Sequence, residues 1–238
     1  MKNIAVVGLG KWGKNLLREF SGICNIVICH SIGNRKNLEW LRENFPNIKY
    51  TINFQDVLND ESIDAVVVAS PIKTHFSLSS QIMHAQKHLF IEKTISENSL
   101  DATKLISLAK ERSLVLFVGH IFLYHPILNK IKAITKSEPI IHLRCSWMKT
   151  GSFQEDIVLD LVSHFISIII ELLGCPKNVK IIDCRKIVSS YDIITIEFRF
   201  DNEVRCIVDV NRVSNFKKRS ITIAVSYTHL TLPTIYSV

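Results

Sequence analysis

Three glycines near the beginning of the chain have the spacing of a phosphate-binding turn. Gly8, Gly10 and Gly13 form the pattern G-x-G-x-x-G directly after the apolar run 4–7. The first glycine of such a turn permits a tight connection from strand to helix, the second lets a pyrophosphate approach the backbone, and the third lets the helix pack closely on the strand. An isolated pattern of this kind more often only ends a buried strand. Because this one joins a β-rich run to a helical stretch, the sequence predicts a dinucleotide site.

Two further pairs of side chains could carry proton chemistry. Glu92 and Lys93 stand at the end of the mostly apolar run that begins at residue 88. Asp160 and His164 are four residues apart in a stretch with helical periodicity, so on an α-helix they share one face and one can orient the other. Carboxylate, ammonium and imidazole groups paired in this way can orient one another and exchange protons. Each pair alone is better explained as a surface ion pair or hydrogen bond.

Strand and helix patterns alternate over about the first 120 residues. The predicted strands are 4–7, 25–30, 64–69, 88–92 and 114–119. The predicted helices are 14–20, 37–44, 74–86 and 100–111. Uninterrupted apolar runs are typical of parallel strands that are covered on both faces. The alternation therefore predicts an α/β fold with a doubly wound parallel sheet of the Rossmann type, and ligands beyond the carboxyl ends of its strands.

The pattern changes after about residue 120. One helical stretch, 155–173, precedes closely spaced predicted strands at 179–187, 192–200, 204–210 and 219–224. Asp201 and Asn202 give a hairpin turn signal between two of these strands. Consecutive strands predict an α+β domain with a mostly antiparallel sheet. We therefore expect a dinucleotide-binding domain at 1–120 and a substrate and oligomerisation domain at 121–224.

Composition restricts the class of protein. The 238 residues are 47% hydrophobic, enough for a packed core. The net charge of +7 is spread along the chain without an aromatic-interleaved basic patch, so it suits an anionic cofactor better than a nucleic acid. The six cysteines and nine histidines show no metal-ligand spacing, and we expect no metal and a reduced, cytoplasmic protein. Asp160, His164 and Glu171 interrupt the most apolar stretch, which predicts a buried helix and no membrane span.

Four motifs in this order resemble those of the Gfo/Idh/MocA oxidoreductases, the relatives of glucose-fructose oxidoreductase and inositol dehydrogenase. They are the glycine turn, Ala69-Ser70-Pro71 with His75, Glu92-Lys93-Thr94, and the Asp160-x-x-x-His164 pattern. The resemblance covers roughly residues 4–224. It implies hydride transfer between NAD or NADP and a secondary alcohol of a sugar, sugar derivative or polyol. It also implies assembly into a homo-oligomer.

The resemblance assigns roles to single residues. It implies that Lys93 hydrogen-bonds the reacting oxygen, that Glu92 helps to orient Lys93, and that His164 is the acid/base. Asp160 would orient His164 or bind substrate. His75 would contact the cofactor or cap its helix. The expected cofactor contacts are Gly8, Leu9, Gly10, Lys11, Trp12, Gly13, Ser31, Asn34, Arg35, Ser70, Pro71, His75, Glu92 and Lys93.

The end of the second predicted strand departs from the usual NAD site. NAD-preferring Rossmann domains place an Asp or Glu there to accept hydrogen bonds from the ribose hydroxyls. This chain has none and continues with Ser31, Asn34, Arg35 and Lys36. Hydroxyl, amide and cationic groups suit a 2′-phosphate, which favours NADP over NAD. A solvated loop of the same composition is the alternative interpretation.

Thr94 stands where the family motif has proline. Proline fixes φ and adopts the cis form more readily than other residues, so a motif that depends on proline would hold Lys93 less well here. A catalytically impaired dinucleotide-binding regulator or scaffold of the same fold therefore stays open as an alternative.

The final segment, 225–238, resembles no part of the family. Its residues 225–234 look like the translation of a sequencing adapter, and we expect a non-native tail after about Ala224. The second domain would then be incomplete, and its unpaired sheet edge would favour aggregation. A genuine short C-terminal extension is the competing interpretation.

Overall fold

The first of two compact units, Met1–Gly119, alternates strands and helices. Its strands are β1 (Asn3–Val7), β2 (Asn25–His30), β3 (Lys49–Thr51), β4 (Ala65–Val68), β5 (His88–Glu92) and β6 (Leu116–Gly119). Its α-helices are α1 (Lys11–Ser21), α2 (Arg35–Asn44), α3 (Gln55–Leu58), α4 (His75–His84) and α5 (Ser99–Glu111). All strand pairs in the described part of this unit are parallel, in the order β3-β2-β1-β4-β5-β6. The predicted Rossmann sheet is confirmed.

The central strands of this sheet are buried on both faces, as their apolar runs predict. Ala5 and Val7 of β1 belong to a core cluster with residues of α3, α4 and α5, whereas Ile4 and Val6 pack with residues of α1 and α2. The strand order reverses between β1 and β4, and ligands of such sheets bind beyond the carboxyl ends at this switch point. The glycine turn lies there, directly after β1.

The second unit, His120–Val238, contains a mixed sheet. Its strands are β7 (Ile140–Thr150), β8 (Asn178–Arg185), β9 (Ile193–Arg199), β10 (Arg205–Asn211), β11 (Val213–Val225) and β12 (His229–Pro233). Its α-helices are α6 (Pro126–Thr135) and α7 (Ser163–Leu173). The described strands follow the order β12-β11-β7-β10-β9-β8, and β7 and β10 are parallel while the other pairs are antiparallel. The predicted mostly antiparallel sheet is confirmed.

Three elements of the second unit, α6, β7 and β12, were missing from the sequence prediction. Helix α6 begins with Pro126 and is capped by the His125 side chain, which accepts a hydrogen bond from the Ile127 N–H. Strand β7 carries Arg144 among its apolar residues, and this side chain pairs with Asp209 of β10, 2.7 Å away. Strands are predicted from an alternation of apolar and polar residues along the sequence. A polar residue whose partner lies on a neighbouring strand, such as Arg144, interrupts this alternation.

The helical stretch predicted at 155–173 is not one continuous α-helix. Residues Val158–Val162 form a π-helical turn, and α7 begins at Ser163. The prediction of uninterrupted α-helical geometry across Asp160 and His164 is therefore wrong, because a π-turn changes the angular spacing of side chains. Such turns are rare in proteins overall, and those that occur often lie at functional sites.

The computed structural model describes residues 1–33, 35–151, 153, 155–201, 203–225 and 229–233. Asn34, an expected cofactor contact, and Asn202, half of the predicted turn signal, lie outside these residues. Within the described ranges, every helix is too short or too polar to cross a membrane.

Candidate cofactor and catalytic sites

Backbone atoms leave no room for a side chain at two glycines of the turn, Gly8 and Gly13. Gly8 has φ +96°, and a Cβ there would lie 2.5 Å from the Ala69 carbonyl oxygen. A Cβ on Gly13 would lie 1.8 Å from the carbonyl oxygen of Gly8. Real Cβ atoms do not come so close to backbone, so both positions accept only glycine in this geometry. The turn thereby packs α1 directly against the carboxyl ends of β1 and β4.

The middle glycine faces open space. A Cβ on Gly10 would meet nothing within 4 Å, and Gly10 is the N-cap of α1. The first N–H groups of a helix have no partner within the helix and carry partial positive charge, which favours a bound anion. The geometry at Gly10 therefore fits the pyrophosphate of a dinucleotide. Lys11 and Trp12, the first two residues of α1, are exposed, whereas the Leu9 side chain is fully buried in the core and leaves only its backbone for a cofactor.

The loop after β2 places polar groups beyond the same sheet edge. His30 is 5% exposed, and burial lowers the pKa of its imidazole. Ser31 is buried, and its carbonyl accepts a hydrogen bond from the Tyr50 hydroxyl at 2.7 Å. The exposed Arg35 side chain donates to Glu39 at 2.9 Å. Arg35 therefore has a solvent-accessible guanidinium at the start of α2, five residues after the end of β2.

His75 connects two of the predicted motifs. Its ring is buried, with Nδ1 2.7 Å from the Thr94 carbonyl oxygen and Nε2 2.8 Å from the Ser70 carbonyl oxygen. The Ser70 hydroxyl is 2.7 Å from the Thr74 hydroxyl, and the latter donates to the Pro71 carbonyl. The imidazole thus joins the loop after β4 to the loop after β5, a role that the sequence did not predict.

Glu92 and Lys93 lie at the carboxyl end of β5, two strands from the glycine turn. The Glu92 carboxylate is largely buried, and burial raises its pKa although the neighbouring Lys93 acts in the opposite direction. The Oε1 atom of Glu92 has no hydrogen-bond partner among the described residues. Gly119 of β6 pairs with Glu92, and a Cβ there would lie 3.3 Å from this Oε1. The peptide bond between Lys93 and Thr94 is cis.

Asp160 and His164 belong to the second unit. Asp160 lies in the π-helical turn and His164 in the first turn of α7. The His164 ring is in edge contact with Phe122, at 4.6 Å between centroids, and stacks on Trp147 at 5.6 Å. His164 is partly exposed. The imidazole therefore contacts two aromatic rings, and its Nδ1 atom is buried.

The segment before Asp160 is fixed by a buried ion pair that the sequence analysis missed. The Arg212 Nε atom donates to Asp192 at 3.1 Å, and its Nη1 donates to the Glu155 carbonyl at 2.7 Å. Burial raises the pKa of Asp192, but hydrogen bonds from Ser189 and from the backbone N–H groups of residues 187–189 outweigh it and hold that pKa well below its usual range. No local sequence pattern indicates this ion pair, because Arg212 and Asp192 come together only when the strands of the sheet pair.

The predicted residues fall into two groups. Those of the first unit lie at or beyond the carboxyl ends of β2, β1, β4 and β5, which are adjacent in the first sheet; they are the glycine turn, Ser31, Arg35, Ser70, Pro71, His75, Glu92 and Lys93. Asp160 and His164 lie on neighbouring turns in the second unit. Among the described residues, no group of three or more His, Cys, Asp or Glu side chains is placed to hold a metal ion.

The profile of a family described as "Oxidoreductase family, NAD-binding Rossmann fold", GFO_IDH_MocA, matches residues 2–120. The chain belongs to the Gfo/Idh/MocA family. Its first unit is the NAD(P)-binding Rossmann domain of that family.

Two dehydrogenases are among the proteins to which this Gfo/Idh/MocA member is similar. UDP-N-acetylglucosamine 3-dehydrogenase of Acidithiobacillus ferrooxidans is 26% identical over 204 residues, which are 83% of this chain and 63% of that protein. Myo-inositol 2-dehydrogenase of Thermotoga maritima is 30% identical over 118 residues, 49% of this chain and 35% of that protein. The chain thus spans less than two thirds of the length of these relatives.

Solved structures show the same fold. The structure of the A. ferrooxidans enzyme superimposes with a TM-score of 0.88 at 22% identity, covering 97% of this chain and 76% of that one. GenD2 from gentamicin A biosynthesis, solved in complex with NAD, superimposes with a TM-score of 0.88 at 20% identity, covering 98% of this chain and 72% of that one.

Proposed function

We propose that the protein is a nicotinamide-dependent oxidoreductase that acts on a secondary alcohol of a sugar, sugar derivative or polyol. The observation that carries the proposal is the open space at Gly10 between two closed glycines, at the N-terminus of α1. This arrangement suits a dinucleotide pyrophosphate, and the bound nicotinamide would accept or donate the hydride.

The residues at the carboxyl end of β5 support the same activity. Lys93 follows Glu92, whose carboxylate is buried with one oxygen lacking a described hydrogen-bond partner. In our proposal Lys93 hydrogen-bonds the reacting oxygen and Glu92 orients the ammonium group. His164 exchanges the hydroxyl proton as acid/base, and Asp160 orients His164 or binds substrate.

The names of the relatives support the substrate class. One is a dehydrogenase of UDP-N-acetylglucosamine and another of myo-inositol. Both substrates carry several secondary hydroxyl groups on a six-membered ring. We propose that this protein takes a polyhydroxylated ring of the same chemical class.

We further propose that NADP is preferred over NAD. The support is the exposed Arg35 guanidinium beyond β2, together with the absence of an acidic residue at the end of that strand. A cation at this position attracts the 2′-phosphate, whereas an acidic residue would repel it.

The alternative is a dinucleotide-binding regulator or scaffold without turnover. Thr94, which stands in place of the family proline beside Lys93, is the observation that favours it. A binder of this kind would show saturable cofactor binding and no change in the nicotinamide spectrum with any substrate.

Two measurements, made one after the other, test the proposal. Titration with NADPH and NADH, followed by cofactor fluorescence, shows whether the cofactor binds and in which form. Incubation with a panel of free sugars, nucleotide sugars and inositols, followed by nicotinamide absorbance, then shows turnover. We expect Lys93→Met to abolish turnover while cofactor binding persists, and the exposed Lys110→Met in α5 to leave both unchanged. Cofactor binding without turnover on the whole panel would favour the regulator.

A further inference from the structure

Two aromatic side chains of the second unit enclose the ring of His164. Phe122 comes from the 3₁₀ segment Ile121–Tyr124, and its ring plane lies at 68° to the imidazole. Trp147 comes from β7, and its ring plane lies at 29° to the imidazole. The two aromatic rings also contact each other, with 6.2 Å between centroids. The imidazole therefore meets one ring edge-on and stacks on the other.

Arg219 holds both of these rings. Its guanidinium carbon lies 4.8 Å from the centroid of Phe122 and 4.5 Å from that of Trp147. Arg219 of β11 is the direct cross-strand neighbour of Trp147. Cations within about 6 Å of an aromatic centroid are attracted by the ring. The planar guanidinium also stacks on ring faces in a way that a lysine ammonium cannot.

Trp147 is further tied to the core. Its ring lies 5.9 Å from that of Phe165, which is 2% exposed. The set of Phe122, Trp147, His164 and Arg219, here called the ring stack, therefore joins β7 and β11 to α7. Its members come from four elements that are distant in sequence.

We propose that Arg219 is a positioning residue for His164. By holding Phe122 and Trp147 in place, it fixes the ring plane of the imidazole. The second side-chain torsion of histidine is broad by itself, and proton transfer needs the ring held within a narrow range of orientations. This inference rests on the proposed function, in which His164 exchanges the proton with substrate.

The first test is spectroscopic and needs no substrate. In protein labelled at histidine, the ring protons of His164, assigned with His164→Gln, are expected to be displaced by the ring currents of Trp147 and Phe122. Arg219→Met should move them toward the position of a solvent-exposed histidine, and Arg219→Lys should restore part of the displacement. Lys218→Met removes a charge from the adjacent residue, which points to the opposite face of the strand, and should move nothing. Unchanged His164 resonances in folded Arg219→Met would overturn the proposal.

The second test is kinetic. Arg219→Met should lower kcat about tenfold, a part of the roughly 10²- to 10⁴-fold that a positioned general acid or base contributes, with little change in KM. A raised KM with unchanged kcat would instead mean that Arg219 binds an anionic substrate, and it would overturn the positioning role. If Arg219→Met does not fold, Arg219→Gln takes its place in both tests, with the same expected results, because it also removes the cation and leaves both aromatic rings in place. Absence of turnover in the wild type would contradict the proposed function, while the spectroscopic test would still decide the role of Arg219.

Discussion

From the geometry of the glycine turn we predict that Gly10→Ala weakens cofactor binding but leaves the stability of the fold nearly unchanged. The added methyl group meets nothing within 4 Å, and Gly10 has φ −67°, which alanine adopts freely. Alanine also restricts the unfolded chain, so we expect the free energy of unfolding to change by less than about 1 kcal/mol. At roughly 2–4 °C per kcal/mol for a chain of this size, the Tm should stay within about 4 °C of the wild type.

The same methyl group occupies the space in which the pyrophosphate would approach the backbone. Loss of one backbone hydrogen bond to a charged group costs about 1.5–3 kcal/mol. We therefore expect the Kd for NADPH and for NADH to rise roughly 10- to 100-fold. Fluorescence titration of both cofactors and thermal unfolding of the cofactor-free protein, followed by circular dichroism, give the two quantities.

Two other glycines serve as comparisons. Gly13→Ala brings its Cβ to 1.8 Å from the Gly8 carbonyl oxygen, and the necessary backbone shift should cost about 1–3 kcal/mol. Its Tm should fall by roughly 2–12 °C. Gly22→Ala, at the other end of α1, makes only an ordinary 3.5 Å contact with Glu19 and should change neither quantity. Wild-type affinity in Gly10→Ala, or a loss of Tm equal to that of Gly13→Ala, would refute the reasoning.

Three further outcomes are expected. Arg35→Ala should weaken NADPH binding about tenfold and leave NADH binding unchanged, with the exposed Arg42→Ala of the same helix as control; equal effects on both cofactors would contradict the NADP preference. Arg212→Met leaves the Asp192 carboxylate buried without its cation, and thermal unfolding should show a Tm lower by roughly 10 °C. The pKa of Asp192 is lower in the folded than in the unfolded protein, so its stabilising effect is complete above about pH 4 and is lost as the pH falls below that value. Asp192→Asn should therefore show a smaller loss of Tm than the wild type between about pH 4 and pH 2; equal slopes would mean that Asp192 has an ordinary pKa in the folded protein.

Much of the first unit could be predicted from the sequence because its signals are local. Strands β2 and β5 begin and end where the apolar runs predict. The glycine turn was predicted from its position directly after a strand. The three-residue β3 and four-residue α3 were missed because segments of that length carry no measurable periodicity.

The second unit was predicted less completely because its signals are distributed. The strand β7 and the parallel pairing of β7 with β10 depend on partners elsewhere in the chain. The π-turn at Val158–Val162 depends on packing that no local pattern encodes. Trp147 and Arg219 carry no motif, and their contact with each other follows only from the register of β11 against β7. The residue types at Asp160 and His164 were therefore predictable, but their surroundings were not.

The position of β7 in its sheet sets the order in which the protein can form during synthesis. In the first unit most strands pair with the strand made just before or just after them, and all partners exist once Gly119 has been made. In the second unit Leu143 of β7 pairs with Cys206 and Ile223, both near the other end of the unit. Long-range pairs of this kind form slowly, because the connecting chain must be closed first. During synthesis the first unit can therefore fold while the apolar face of α7 still lacks its sheet. The growing chain is most prone to aggregation in this interval.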